Sequence, residues 1–192
     1  MSRAYPRIAF GPSVKEVQTE LGSRVFGERL ESMDWNDVEL GPREREMMAR
    51  LDHFYMATVS ESGWPYVQYR GGPAGFLKVL SPRTFGFADF RGNMQYISTG
   101  NVRHDDRVAL FLIDQAQRRR LKIFARAEVR GLDEDLTRGL VDPTYDAQPE
   151  RAYLFHVDAF DWNCPQHITP RFSVAELKAL GADAVRNLLL SS

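Results

Sequence analysis

The sequence has little of what marks a disulfide-bonded, metal-binding or membrane protein. Its single cysteine, Cys164, rules out a disulfide within the chain and fits a reducing compartment. Its four histidines lack metal-ligand spacing, so we expect no metal site. The longest apolar run, residues 108–113, is far too short to cross a bilayer, and the first residues lack the apolar segment of a signal peptide. We therefore expect a soluble, cytoplasmic protein that does not bind a membrane.

Charge and catalytic motifs are equally sparse. The net charge of −1 gives no indication of a nucleic-acid partner. No Gly-x-Gly-x-x-Gly follows a strand pattern, and neither a Walker lysine motif nor a Gly-x-Ser-x-Gly elbow is present. Cys164 and His167 could form a nucleophilic pair, but no third group orients them, and we interpret their loop as structural or ligand-lining. The sequence thus identifies no catalytic residue.

What is present is a series of short β-like segments, most with apolar side chains at every second position. Seven of them lie close together, at residues 54–60, 65–70, 76–80, 84–88, 107–113, 121–129 and 153–159. Helical patterns are confined to the two ends and to one short insert at 133–140. This order favours an antiparallel barrel or sandwich over a doubly wound sheet, which needs helices between its strands. We expect a mainly β protein with flanking helices, an α+β fold, in which 107–113 is a central strand buried on both faces.

Both ends of the chain carry helix signals. A capping box at 13–16 predicts an early helix, and the mixed segment 23–40 is expected to anchor to the main body through Trp35 and Val38. A second capping box at 173–176 predicts a C-terminal helix. The buried stripe predicted for that helix consists of Leu177, Leu180, Val185 and Leu188.

The stretch of residues 66–101 carries the clearest functional signal. Two β-like runs each end in an Arg-Gly pair, at 70–71 and 91–92. Arginine offers a planar fork of donors suited to phosphate, and glycine lets the backbone approach a ligand. Residues 93–99 resemble a short helical turn whose free N–H groups would face the same anion. A phosphate site is one interpretation; the other is two glycine turns beside solvated arginines, which these residues alone favour. The basic run 118–120 likewise suits a solvated hairpin tip or a loop that guides an anion.

Several sequence blocks are similar to those of one known family. They occur in the family's order, at residues 54–60, 63–65, 67–76, 91–94, 98–101 and 163–168. On these blocks the chain resembles the pyridoxamine 5′-phosphate oxidase-like family of FMN-binding split-barrel proteins. The resemblance implies an N-terminal helical extension at 1–41, like that of one branch of the family. It also implies an antiparallel FMN-binding split β-barrel at 42–172 and a C-terminal helix at 173–192 packed on the barrel.

In this family FMN binds at a dimer interface, so the resemblance implies a homodimer with the flavin site between subunits. The FMN phosphate would be neutralised by Arg70 and Arg91, together with amides near Gly92 and Asn93. The loop 162–167 would approach the isoalloxazine ring from the other subunit. The cofactor-binding residues implied are Gln68, Tyr69, Arg70, Gly71, Ala88, Asp89, Arg91, Gly92, Asn93, Gln95, Ser98, Asn101, Trp162, Cys164, Pro165, Gln166 and His167.

The function implied by the resemblance is that of an FMN-dependent oxidoreductase with a small-molecule substrate. It would transfer hydride between a nicotinamide or small organic donor and an acceptor. Two alternatives stay open: a flavin-binding carrier or redox sensor without turnover, and a relative that binds haem or the deazaflavin F420. True pyridoxamine phosphate oxidases carry an arginine-rich C-terminal block that grips the substrate phosphate. Here only Arg171 could imitate it, so we do not expect oxidation of vitamin B6.

Overall fold

Strands form the centre of the structure, a computed structural model that describes residues 3–183 and 185–186. The strands are β1 (His53–Val59), β2 (Pro65–Gly71), β3 (Lys78–Ser81), β4 (Thr84–Phe90), β5 (Arg107–Asp114), β6 (Arg119–Arg130) and β7 (Pro149–Asn163). The helices are α1 (Ala4–Ala9), α2 (Pro12–Glu20), α3 (Arg24–Ser32), α4 (Pro42–Arg50), α5 (Ile97–His104), α6 (Glu134–Leu140) and α7 (Val174–Leu180). Among the described residues, no helix has the length and apolar character needed to cross a membrane.

Within the described residues, the seven strands pair antiparallel in one sheet, in the order β2-β1-β5-β6-β7-β4-β3. The sheet curls until its two ends approach each other. Arg70 on β2 reaches Asp89 on β4 across 2.8 Å, although four strands separate β2 from β4 in the sheet order. The rings of Phe54 on β1 and Phe87 on β4 lie 5.5 Å apart inside the curl. The structure confirms the predicted α+β fold built on an antiparallel split barrel.

The core fills the inside of this curled sheet. Every second residue of β6 faces inward from Leu121 to Ala127, and each of these side chains is buried. On β7, Tyr153, Phe155 and Val157 are buried in the same way, as the alternation predicts. The largest fully buried side chains are Tyr153, Phe54, Phe85, Phe155, Met47, Met48, Met56, Leu110, Leu112, Leu121, Ile123 and Val157.

The opposite face of the sheet is less covered than we predicted. Strand β5 lies between β1 and β6, which agrees with a central position. From Val108 to Asp114 its residues alternate between buried and half-buried, however, so the expectation that both faces are buried is wrong for the single chain. Phe111 is half-buried, and so is Phe124 on β6. The outer sheet face, which we define as the outward side chains of β1, β2, β5 and β6, therefore leaves part of its apolar surface without a cover inside this chain.

Hydrogen bonds, an ion pair and a ring contact hold the N-terminal segment to the sheet. The carboxylate of Asp37 accepts hydrogen bonds from the backbone N–H groups of Ala4 and Tyr5, and Arg3 is buried beside it. The ring of Tyr5 stacks on Phe124 at 4.9 Å. The prediction that Trp35 anchors this segment is wrong, because its side chain is exposed. The second predicted anchor, Val38, is half-buried.

Two helix boundaries differ from those predicted. Helix α2 begins at Pro12 after Gly11, because proline needs no N–H partner in the first turn, so the capping box at 13–16 does not form. The box at 173–176 does cap α7. Gly181 follows α7 with φ of +79°, which ends the helix early. In the predicted buried stripe, Leu177 and Val185 are half-buried, Leu180 is exposed and Leu188 lies outside the described residues.

Candidate functional site

A small polar pocket opens where β2, the end of β4 and the beginning of α5 meet. Its volume is about 120 Å³. It is lined by Tyr66, Gln68, Arg70, Asp89, Phe90, Gly92, Asn93, Met94, Tyr96, Ser98, Thr99 and Glu150. The curling of the sheet creates this pocket, since β2 and β4 meet only because the barrel brings them together.

One carboxylate between two guanidinium groups forms the floor of the pocket. Asp89 accepts a hydrogen bond from Nη1 of Arg70 at 2.8 Å and lies 3.5 Å from Nε of Arg151. Asp89 and Arg151 are direct partners in the pairing of β4 with β7. The guanidinium of Arg70 also lies over the ring of Tyr153, 5.2 Å from its centroid. These contacts hold Arg70 in one orientation before any ligand arrives.

The pocket carries a small excess of positive charge. Arg91 lies 3.9 Å from Glu150, and Glu150 also forms an ion pair with Arg151. Three guanidinium groups, those of Arg70, Arg91 and Arg151, therefore face the two carboxylates of Asp89 and Glu150. Burial raises the pKa of the Asp89 carboxyl above its usual value, although Arg70 and Arg151 act in the opposite direction. A bound anion would meet a site that is already net cationic.

The wall opposite β2 is a turn followed by a helix. Residues 93–99 were predicted as one helical turn, but the helix begins only at Ile97, and both Met94 and Tyr96 have positive φ. Ser98 is buried and donates a hydrogen bond to Oε1 of Gln68 at 2.8 Å. Thr99 is hydrogen-bonded to the hydroxyl of Tyr153 at 2.7 Å. These two contacts fix α5 against β2 and β7.

The structure brings together six of the residues predicted to bind a cofactor. Those that line the pocket are Gln68, Arg70, Asp89, Gly92, Asn93 and Ser98. Arg91 lies at the rim, with a side chain that is 59% exposed. Gln95 is exposed, and Gly71 ends β2.

Three predicted residues direct their side chains elsewhere. Tyr69 lies on the other face of β2, where its ring stacks on His53 at 5.4 Å. Ala88 belongs to a small buried cluster beside α6. Asn101 donates a hydrogen bond to the hydroxyl of Thr58 at 2.9 Å inside the barrel. Ala88 and Asn101 therefore serve packing of this chain, whereas Tyr69 is 57% exposed on the outer sheet face.

Within one chain, the loop 162–167 lies at the opposite end of β7 from the pocket. Glu150 of the pocket is near the beginning of β7, and Trp162 is near its end, 12 residues later. At about 3.3 Å per residue this separation is on the order of 40 Å along the strand. Trp162 donates a hydrogen bond to Glu44 at 2.6 Å, and Arg43 lies over its ring at 3.9 Å. Cys164 and His167 are exposed. The part of the chain that the structure describes contains no cluster of three or more potential metal ligands.

Several residues in or beside the pocket were not predicted from the sequence as site residues. They are Tyr66, Phe90, Met94, Tyr96, Thr99, Glu150 and Arg151. Arg151 is the most consequential because it shares Asp89 with Arg70. Its position could have been found only from the register of β7 against β4, since Arg151 lies two residues before the predicted strand 153–159.

Comparison with known proteins places the chain in a family. A family model described as pyridoxamine 5′-phosphate oxidase matches residues 40–161, more than half of the chain. No curated protein matches the sequence. One similar solved structure is a candidate pyridoxamine 5′-phosphate oxidase from Lactobacillus delbrueckii, 20% identical with a TM-score of 0.51; the alignment covers 66% of this chain and 96% of that one.

A second solved structure shares the fold at still lower identity. It is a histidine-to-alanine variant of HupZ from Group A Streptococcus, 11% identical with a TM-score of 0.50; the alignment covers 65% of this chain and 99% of that one. At such identities the two structures support the fold alone, whereas the family model matches the sequence itself. The chain therefore belongs to the pyridoxamine 5′-phosphate oxidase family.

Proposed function

We propose that this protein binds FMN and places the FMN phosphate in the pocket between β2, β4 and α5. One observation carries this proposal. The Nε atom of Arg70 is buried and, within the residues that the structure describes, has no hydrogen-bond partner. A buried unsatisfied donor is costly, and such a group in a polar pocket calls for an acceptor. A phosphate oxygen is the acceptor that an arginine fork fits best.

The other pocket residues fit the phosphate end of FMN. Arg91 and Arg151 supply further positive charge, and Arg91 is exposed enough to turn toward a ligand. A Cβ on Gly92 would meet no atom within 4 Å, so open space adjoins the backbone at this point. At about 120 Å³ the pocket is smaller than the 300–1,000 Å³ typical of ligand sites. The pocket of one chain therefore suits a phosphate group, and the rest of the cofactor would lie outside it.

The proposed activity is oxidation or reduction of a small molecule. Bound FMN would supply hydride transfer between a nicotinamide or small organic donor and an acceptor. The protein's own residues bind and orient: Arg70 is held by Asp89 and Tyr153, and the Ser98–Gln68 hydrogen bond keeps that wall of the pocket closed. An oriented, partly buried guanidinium favours a phosphorylated flavin over an unphosphorylated one, because it is already in position before binding.

We also propose a homodimer in which the partner subunit covers the outer sheet face and completes the flavin site. This face contains two apolar hollows of about 460 and 260 Å³. Val67 is 61% exposed on it, with Tyr55 and Val59 beside it. Exposed apolar surface of this extent is typical of an interface. A partner subunit would also explain how the distant loop 162–167 could reach a flavin.

The homodimer predicts a measurable mass. The 22.0 kDa chain should elute as a species of twice that mass at micromolar concentration, because an interface that completes a cofactor site should bury about 2,000 Å² or more. Light scattering coupled to size exclusion measures this. The variant Val67→Glu should shift the protein toward monomer, since it places a charge on the outer sheet face that the partner subunit would cover. A wild-type monomer that still holds flavin would contradict the proposal.

The cofactor itself can be identified from the purified protein. We expect a yellow protein. Denaturation should release the cofactor, and mass spectrometry should identify it as FMN. Release of F420 or haem would replace FMN with one of the alternatives. Anaerobic bleaching by NADH or NADPH would support an oxidoreductase, whereas a bound flavin that no donor reduces would indicate a carrier or sensor.

A further inference from the structure

Two arginines of the β5–β6 hairpin hold the backbone of the loop that follows β7. Arg120 donates from Nη2 to the carbonyl oxygens of Cys164, at 2.7 Å, and Gln166, at 3.5 Å. Arg118 donates from Nη2 to the carbonyl oxygen of Pro165 at 3.4 Å. The basic run 118–120 is therefore more than a solvated tip, because two of its three guanidinium groups bind consecutive carbonyls of one loop.

The loop itself is a tight turn with an unusual residue. The N–H of Ile168 donates to the carbonyl of Pro165 at 3.4 Å, and His167 between them has φ of +61°. Turns with positive φ at the third position favour glycine or asparagine there. A histidine in this conformation is strained, and such strain often accompanies a function of the side chain.

The side chains of this turn do little for the chain that carries them. Residues 164–167 are all exposed, whereas Ile168 is buried and anchors the end of the loop. Fixing two long arginine side chains on an exposed loop costs conformational entropy. The bracing thus keeps the shape of a surface that contacts little in its own subunit.

We propose that Arg120, assisted by Arg118, is a positioning residue that holds the turn 164–167 preformed for contact with the flavin bound to the partner subunit. This inference rests on the proposed FMN site. It adds that the turn is already rigid before it contacts the flavin, and that the backbone at His167 is strained. A preformed arm loses less entropy on contact than a flexible one, so it strengthens binding of the flavin.

The test compares three variants on the same strand. Arg120→Gln removes the charged fork, and Arg120→Lys keeps one charged donor. Arg130→Gln is the control, because Arg130 is an exposed arginine of β6 whose partners are Glu128 and Asp133. Hydrogen exchange of the segment 164–168 reports bracing in the apo-protein. Fluorescence titration with FMN and with riboflavin reports contact with the flavin, and thermal unfolding reports the fold.

We expect exchange of 164–168 to be about tenfold faster in Arg120→Gln, with no change in Arg130→Gln. The affinity for FMN and for riboflavin should fall by the same factor, about five- to tenfold, because the turn contacts the ring rather than the phosphate. Arg120→Lys should recover part of both effects, while the unfolding temperature stays unchanged in all variants.

Each other outcome overturns part of the inference. Unchanged exchange in Arg120→Gln would show that the arginine does not brace the turn. Faster exchange with unchanged flavin affinity would show that the turn does not reach the flavin. A wild-type protein that binds neither flavin would reject the proposed function, and with it the contact between the turn and a flavin. Hydrogen exchange would then test only whether Arg120 braces the turn.

Discussion

Replacing Arg70 with alanine should weaken FMN binding by about ten- to a hundredfold. The Arg70 side chain is largely buried, oriented by Asp89 and Tyr153, and carries the unpartnered Nε. Charge-assisted hydrogen bonds of this kind contribute roughly 1.5–3 kcal/mol each, which corresponds to that loss of affinity. Arg91→Ala should have a smaller effect, because the Arg91 side chain is 59% exposed and more solvated. Fluorescence titration of apo-protein measures both.

Two further variants distinguish the loss of a phosphate contact from a change in folding. Arg103 is an exposed arginine of α5 that does not line the pocket, so Arg103→Ala should leave FMN affinity unchanged. Removing Arg70 leaves Arg151 as the cationic partner of the buried Asp89, and Arg70→Gln/Asp89→Asn removes both charges together. This double variant should bind FMN as weakly as Arg70→Ala. Full affinity in Arg70→Ala would exclude the phosphate from this pocket.

Phe54→Ala should lower the free energy of unfolding by about 3–5 kcal/mol. The Phe54 side chain is fully buried, and its ring contacts those of Phe76, Phe87 and Phe155. It joins β1 to β4 and β7 across the barrel, so the cavity left by alanine lies where the curled sheet closes. At about 2–4 °C per kcal/mol, the unfolding temperature should fall by roughly 6–20 °C. Denaturant and thermal unfolding of the apo-protein measure the two quantities.

The chain offers a matched control for this substitution. Phe26 on α3 is 64% exposed, so Phe26→Ala should change stability by no more than about 0.5 kcal/mol. Equal destabilisation by the two alanine variants would mean that α3 packs more tightly than in this structure. A small effect of Phe54→Ala would mean that the barrel interior can collapse around the cavity.

The strands could be predicted because their alternation records one buried and one outward face. The alternation of β6 and β7 follows directly from their side chains. Helices α1 and α3 could not be predicted in this way. On α3 both Val25 and Phe26 are exposed, so no buried stripe marks the helix, and α1 depends on the distant carboxylate of Asp37. Tertiary contacts decide such short helices more than local preference does.

The candidate site was predictable where its residues are close in sequence. The Arg-Gly pairs at 70–71 and 91–92 drew attention to β2 and to the end of β4, both of which reach the pocket. Arg151 and Glu150 lie about 60 residues further along and join the site only through the register of β7 with β4. The alternation of β2 also separates Tyr69 from Gln68 and Arg70, which the inferred cofactor set overlooked.

The central claim, that a phosphate site selects FMN, is tested most directly by titrating the wild-type apo-protein with FMN and with riboflavin. Riboflavin lacks only the phosphate, so it should bind more than about tenfold more weakly than FMN. In Arg70→Ala that difference should shrink, because riboflavin never used the guanidinium. Equal affinity of the wild-type protein for the two flavins would contradict the phosphate site.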